Sequence, residues 1–354
     1  MFIGAENIIS PLGNSAEEIF KKLKNGESSI KNNKGVLASY FFPFQNLLLP
    51  LMMDSIKKSI ELVDKDILIQ KKTLLIVSTT KGEINQLSNN IRDAHLSYLP
   101  NNILKELSWI NKGIVVSTAC VSGLQSLIIA NDMLNNDYYD NVIICGGDLA
   151  SNFVLEGFQS FHAISKSSCR PFDENRNGLT LGEAVSTIIM SNNKEIYSQV
   201  PLRFLGGCSI NDAHHISAPH RESHGLIQSI KNTLEICNIE STNIDFINAH
   251  GTATAYNDSM EAKAFGKLEF SDIPINSLKG FIGHTLGTAG VIETAISMQS
   301  MKNNLLLKCN GFSSQNFDVK LNVITENRNL NANTILKTSS GFGGFNASAI
   351  LQKI

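Results

Sequence analysis

The sequence carries almost no net charge: 30 Lys and Arg stand against 32 Asp and Glu in 354 residues, a formal charge of -2. That balance excludes a global attraction to nucleic acid or to an anionic membrane, so a charged partner must meet a local patch. Six cysteines are scattered along the chain without a single CxxC pair. In a chain this long, such spacing argues against both a disulfide framework and a zinc knuckle, and points to free thiols in a reducing compartment. No stretch reaches the roughly 18 consecutive apolar residues of a membrane span. The opening MFIGAENIISPLGN lacks the basic region, apolar core and cleavage site of a secretory leader, so a cytoplasmic location is expected. No low-complexity linker divides the chain.

What is present reads as α/β. Short β-rich runs alternate with amphipathic helical stretches, the pattern of buried strands separated by helices. Strands are predicted at 1–9, 73–78, 114–119, 141–145 and 184–190, and again at 202–206, 244–248, 273–277, 334–338 and 347–352. The two series resemble one another. Each ends in two closely spaced strands, after a helix that opens at a small-residue loop: TACVSG before 124–134, and GHTLG before 288–301. An internal duplication explains this, with one half at 1–195 and the other at 196–354. Residues 11–26 read as a capped helix, with Asn14-Ser15 as start and Gly26 as stop. Residues 79–112 are the least regular and are expected to form a cap with two helical fragments, outside the sheet layers.

Four constellations carry chemistry. Cys120 falls where a buried strand gives way to a helix, so its thiol should feel the positive end of the helix dipole and free backbone N–H groups. Both would lower its pKa below about 8.5. The alternative is an inert core thiol, the usual fate of a buried cysteine. Asn248-Ala249-His250-Gly251-Thr252 ends a strand on an imidazole, with Asn257, Asp258 and Glu261 following. Strand ends of this kind are where open α/β sheets place their chemistry. Lys279-Gly280-Phe281-Ile282-Gly283-His284 repeats the theme, with Glu293 in the next helix. Gly341-Phe342-Gly343-Gly344 lacks the Lys-Ser/Thr of a phosphate loop, and no dinucleotide fingerprint follows a strand. It reads better as a backbone turn presenting N–H groups to an oxyanion.

STACVSG, NAHGTATAYND, LKGFIGHTLGTAG and SGFGGFN, in that order, resemble the β-ketoacyl-acyl-carrier-protein synthases of the thiolase superfamily. SPLGNSAEEIFKKLKNGESSI, CRPFDENRNGLTLGEA and INDAHHISAPH agree. The likeness is to the elongating, Cys-His-His type, and the IGHTLG and NGLTLGEA wording to the aryl-polyene branch. It implies a thiolase-like fold: two duplicated α/β halves in a five-layered αβαβα core. It implies an acyltransferase that performs decarboxylative Claisen condensation of an acyl thioester on Cys120 with malonyl-ACP, in fatty acid, polyene or polyketide synthesis. Cys120 would be the nucleophile, and His250 and His284 would bind the malonyl thioester carbonyl. Lys279, paired with Glu293, would hold His284, while Asp258 and Glu261 would support the His250 turn. The N–H groups of Cys120 and Phe342 would form the oxyanion hole, with Phe342 gating the acyl pocket together with the 210–219 loop. No metal or organic cofactor is required.

The expected partners are an acyl carrier protein and a second synthase or chain-length-factor subunit, in a homodimer or heterodimer. Lys57, Lys58 and Arg92 are candidates for the carrier dock. His214, His215, His220 and His224 match no standard zinc spacing and read as a loop with structural imidazoles. Arg170 and Asp173 read as a structural turn. Two other readings are a non-catalytic interaction subunit, disfavoured by the presence of Cys120, and a coenzyme-A thiolase. The latter would want a second cysteine near the C-terminus, where SSGFGGFNASAILQKI has none.

Overall fold

Uninterrupted apolar runs become the central strands. TLLIVS, NVIICGGD and AVSTIIMS are buried along their whole length, as strands covered on both faces must be. The structure, a computed structural model, describes residues 1–33, 36–41, 47–68 and 72–354. Ten strands matter for the site. The first five are β1 (Phe2–Ile9), β2 (Thr73–Ser78), β3 (Lys112–Val116), β4 (Asn141–Asp148) and β5 (Ala184–Ser191). The second five are β6 (Leu202–Asn211), β7 (Phe246–Asn248), β8 (Ile275–Asn276), β9 (Thr334–Gly341) and β10 (Phe345–Gln352).

The strands run in the order β8-β7-β9-β10-β6-β1-β5-β4-β2-β3. Read from its outer edge, each set of five follows the same path: third, second, fourth, fifth, first. In each set the second strand pairs in parallel with the third and fourth, and the fourth, fifth and first pair antiparallel. The same strand path thus occurs twice, with the two first strands joined at the seam by Phe2–Arg203 and Ile3–Leu202.

Eight helices build the layers: α1 (Ala16–Lys24), α2 (Leu48–Ile60), α3 (Tyr98–Glu106), α4 (Ser122–Asn135), α5 (Asn152–Ser160), α6 (His224–Cys237), α7 (Ala255–Lys267) and α8 (Ala289–Lys302). Helices α4 and α8 pack on each other between the two sets of strands, α2 covers the outer face of the first set, and α6 with α7 covers the second. This is the αβαβα order of the thiolase-like fold. Buried on every side, α8 keeps all but its last residue from solvent.

Several boundaries differ from the sequence reading. The helix read over 11–26 spans only Ala16–Lys24, with Ser15 Oγ accepting the Glu18 N–H at 3.2 Å as its N-cap. The strand read over 114–119 stops at Val116, because the chain leaves the sheet to make the turn before Cys120. Residues 79–112 do not form a separate cap. Helix α3 lies on the outer face beside α2, β2 and β3, burying Leu99 and Ile103 in the same core, and β3 begins inside this stretch.

Candidate active site

After β3 the chain turns tightly. The Thr118 N–H donates to Ser122 Oγ at 2.8 Å, and that hydroxyl donates to the Ala119 carbonyl at 2.6 Å. Ala119 is held at φ 49°, a left-handed conformation that costs a non-glycine residue about 1–3 kcal/mol and gathers at functional sites. Cys120 follows, just ahead of α4. Helix α4 then crosses α8 at Gly123 and Gly290. A Cβ on Gly290 would stand 2.1 Å from the Leu124 amide nitrogen, and one on Gly123 2.7 Å from that of Val291. The missing side chains let the start of α4 approach the segment ahead of α8, which carries His284. His284 itself is clamped by NGLTLGEA: its N–H donates to the Thr180 carbonyl at 2.6 Å, and its carbonyl accepts from Gly182 at 2.9 Å.

His250 is placed by two buried carboxylates of α7. Glu261 accepts the N–H groups of His250 and Gly251 at 2.8 and 2.6 Å, and Asp258 accepts those of Thr252 and Ala253 at 2.9 and 3.1 Å. Three residues apart, the two acids share one helix face. Burial, then the charge of Asp258, pushes Glu261 up to about 6 while its backbone donors pull it down. The outcome is a compact buried cluster: Cys120 Sγ and one ring nitrogen each of His250 and His284 lie within 4.8 Å of one another. The two imidazoles meet edge-on, with centroids 5.2 Å apart.

The fully buried Lys279 corrects one expectation. Its ammonium does not hold His284. It donates to the His250 carbonyl at 2.5 Å, to His250 Nδ1 at 3.2 Å and to Glu293 Oε1 at 2.6 Å. His284 Nδ1 accepts instead from the Leu286 N–H at 3.1 Å. Both Nδ1 atoms face donors, so each neutral ring carries its proton on Nε2. Burial first, then the charge of Lys279, holds both imidazoles well below 6.5. This tautomer also argues against a shared metal ion. A metal-binding imidazole offers a bare nitrogen and donates its other N–H to an acceptor, the reverse of this arrangement.

A second correction concerns Cys120. Burial raises the thiol to about 11; Lys279 and a backbone hydrogen bond oppose that, while Asp148 and Glu293 reinforce it. At rest Cys120 carries a protonated thiol.

Two cavities meet at Cys120. One, of about 360 Å³, is also lined by His250, His284, Asn257 and the 217–219 loop. The other, about 660 Å³ and largely apolar, runs past Phe153, Val154, Leu286 and Lys81. Phe342 borders both, its ring 5.8 Å from that of Phe158 and 5.7 Å from that of Phe161. The Phe342 turn is tied to the neighbouring loop by Gly343 N–H to the Ile216 carbonyl at 2.7 Å and Asp212 N–H to the Gly344 carbonyl at 2.9 Å.

The other candidates lie apart. The His220 ring stacks on His224 at 4.3 Å and meets His214 at 4.8 Å. Among the described residues, only Cys120, His250 and His284 bring three His, Cys, Asp or Glu donors close enough to share an ion. Asp173 binds the 313–314 backbone at 2.8 and 3.2 Å, and Arg170 stands 3.9 Å away from it. Lys57, Lys58 and Arg92 line neither cavity, and Lys58 pairs with Asp54 at 2.9 Å. Two buried charges that act on the cluster escaped the sequence reading. Asp148, at the end of β4, gathers Lys81, Thr79, Thr80 and the Gly287 N–H. Lys337 pairs with Glu293. A charge inside a run that otherwise reads as a buried strand was the available signal for each.

Among the described residues no helix is long and apolar enough to cross a membrane. Residues 70–195 match the family description of the beta-ketoacyl synthase N-terminal domain, and residues 204–313 that of the C-terminal domain. The chain is 30% identical over 260 residues to the 3-oxoacyl-[acyl-carrier-protein] synthase 2 of Coxiella burnetii, covering 68% of this chain and 62% of that one. It thus spans less than two thirds of that relative's length. The ishigamide ketosynthase/chain length factor superposes with a TM-score of 0.89 at 22% identity, covering 100% of this chain and 99% of that one. A type II polyketide ketosynthase in complex with its acyl-carrier protein gives 0.88 at 19%, with the same coverage. With both halves of one family matched in order and the fold shared, this chain belongs to the β-ketoacyl synthase family.

Proposed function

We propose that this chain is a 3-oxoacyl-ACP synthase that condenses an acyl thioester with malonyl-ACP, with Cys120 as nucleophile. The observation that carries this reading is the buried thiol set against two neutral Nε2–H imidazoles at the junction of two cavities. The Cys120 sulfur attacks the acyl carbonyl, its bond to the carrier sulfur breaks, and the thiol proton leaves on the carrier thiol. Malonyl-ACP then enters on the side of His250 and His284. Their Nε2–H groups donate to its thioester oxygen as the carboxylate leaves as carbon dioxide, stabilising the enolate in a dry site. The enolate carbon attacks the Cys120 thioester. The new carbon–carbon bond forms, the sulfur departs, and one proton restores the thiol. The N–H groups of Cys120 and Phe342 are the proposed oxyanion donors, and Lys279, Glu293, Asp258 and Glu261 hold the His250 imidazole and its turn. No step needs a metal or organic cofactor.

The 660 Å³ apolar cavity is the proposed acyl site, and Phe342 its gate. An acyl carrier protein is the proposed donor, and a second synthase or chain-length-factor subunit the proposed dimer partner, by analogy with the relatives' complexes. The repeated strand path supports a division into halves at 1–195 and 196–354. Six unpaired thiols support a cytoplasmic location, and the IGHTLG and NGLTLGEA wording supports the aryl-polyene branch. Incubating purified protein with acyl-ACP and malonyl-ACP, and identifying the β-ketoacyl product by mass spectrometry, tests the reaction. Formation of only free acid and acetyl-ACP would contradict it.

A further inference from the structure

Lys337 is a buried ion for which the condensation chemistry above has no use. It lies in β9, within TILKTSSG, fully buried. Parallel pairing sets it beside Asn248, two residues ahead of His250. Its ammonium stands 2.7 Å from Glu293 Oε2 and donates to the carbonyls of Thr338 at 2.7 Å and Asn248 at 3.4 Å. Lys279 holds the other oxygen of the same carboxylate at 2.6 Å. Two ammonium ions therefore share one carboxylate away from solvent. Burying a charge is costly unless it is paired, and Lys279 alone neutralises Glu293. Stability gives no reason for the second lysine; an apolar side chain would suit this strand better.

The other carboxylates around the imidazoles are bound to backbone donors, although Glu261 also acts through space on both lysines. Glu261 and Asp258 accept the backbone N–H groups of the His250 turn. Asp148, behind Gly287, is paired with Lys81 at 3.0 Å. The thiol of Cys120 is neutral. One positive charge is left over on the Lys279–Glu293–Lys337 set.

We propose that Lys337 is a positioning residue whose charge leaves the Lys279–Glu293–Lys337 set with one positive charge in excess, keeping His250 and His284 neutral and stabilising the anion formed beside them. The part concerning the anion rests on the condensing reading; the part concerning the imidazoles does not. Both rings are held low by burial and then by Lys279, with Lys337 contributing to each. Burial lowers the pKa of Lys337 itself, and Glu293 opposes that.

The test is nitrogen NMR of the histidine side chains in the full chain between pH 5 and 8. In the native protein His250 and His284 should stay neutral throughout. In Lys337→Met at least one should titrate at least one pH unit higher, and Lys337→Met/Glu293→Gln, which restores the single excess charge, should return towards native behaviour. Identical titration in all three overturns the proposal. Should Lys337→Met fail to fold, Glu293→Gln alone raises the excess to two and must lower the Cys120 thiol pKa; an unchanged or raised value overturns the proposal equally. In a Cys120→Gln background, adding Lys337→Met should slow malonyl-ACP decarboxylation about tenfold with KM unchanged. If the native chain forms no β-ketoacyl product while the NMR shifts appear, the condensing reading fails and the charge assignment stands.

Discussion

The Lys279 ammonium lies 3.2 Å from Nδ1 of His250, which fixes that imidazole with its proton on Nε2, facing Cys120 and His284. A lysine in this role orients a donor. Replacing Lys279 with Met removes the only cation on Nδ1 while Lys337 still neutralises Glu293. Nitrogen NMR should then show a population of the Nδ1–H tautomer at His250. Malonyl-ACP decarboxylation should fall about 100-fold, the effect of losing one donor to a developing oxyanion. An unchanged tautomer and rate would show that Lys279 only fills space.

The thiol offers a test of opposite sign to the sequence reading. A helix terminus alone would give a thiolate near neutrality. Burial instead raises Cys120 to about 11, so the thiolate fraction keeps growing through neutral and mildly alkaline pH. Iodoacetamide labelling of the Cys120 peptide, followed by mass spectrometry, should rise about tenfold per pH unit from 7 to 10 without a plateau. A plateau at or below pH 8 would mean that the helix dipole and Lys279 prevail over burial.

The repeated strand path, nearly every central strand and the three residues of the cluster were legible in the sequence, because apolar runs and Gly-flanked turns are local patterns. Distances between segments were not. Lys279 stands five residues from His284 and 29 from His250, yet it bonds His250, because Gly283, at φ 70°, turns the chain away. The thiol pKa was misjudged for a similar reason. The helix start is a local feature, whereas Cys120 is covered by β9, far along the chain, where the Ser339 hydroxyl donates to the Cys120 carbonyl. Residues 79–112 looked like a cap because their polar stretch hides the apolar pair Leu99 and Ile103 that docks α3 on the first set of strands.

The close crossing of α4 and α8 predicts a structural route to inactivation. Gly290→Ala places a Cβ against the Leu124 backbone, which no side-chain rotation can relieve. Overpacking of this kind costs about 1–3 kcal/mol, and the thermal midpoint should fall accordingly. Acylation should suffer less than condensation, because Cys120 keeps its own turn while its distance from His284 grows. Equal losses in both steps would place the strain elsewhere.

Phe342 separates two cavities of about 360 and 660 Å³. Truncation to Ala merges them, and the chain-length distribution of acyl groups captured on Cys120 should broaden towards longer chains. Intact-mass profiling after incubation with a mixture of acyl-ACPs reads this directly. An unchanged distribution would show that the limit lies deeper, near Phe153 and Leu286.

Whether Cys120 carries the acyl group is decided by intact-protein mass spectrometry after incubation with acyl-ACP. Native protein should gain one acyl mass, mapped by peptide analysis to Cys120, and Cys120→Ala should gain none. No adduct on the native protein, or an equal adduct on Cys120→Ala, would mean that Cys120 does not carry the acyl group.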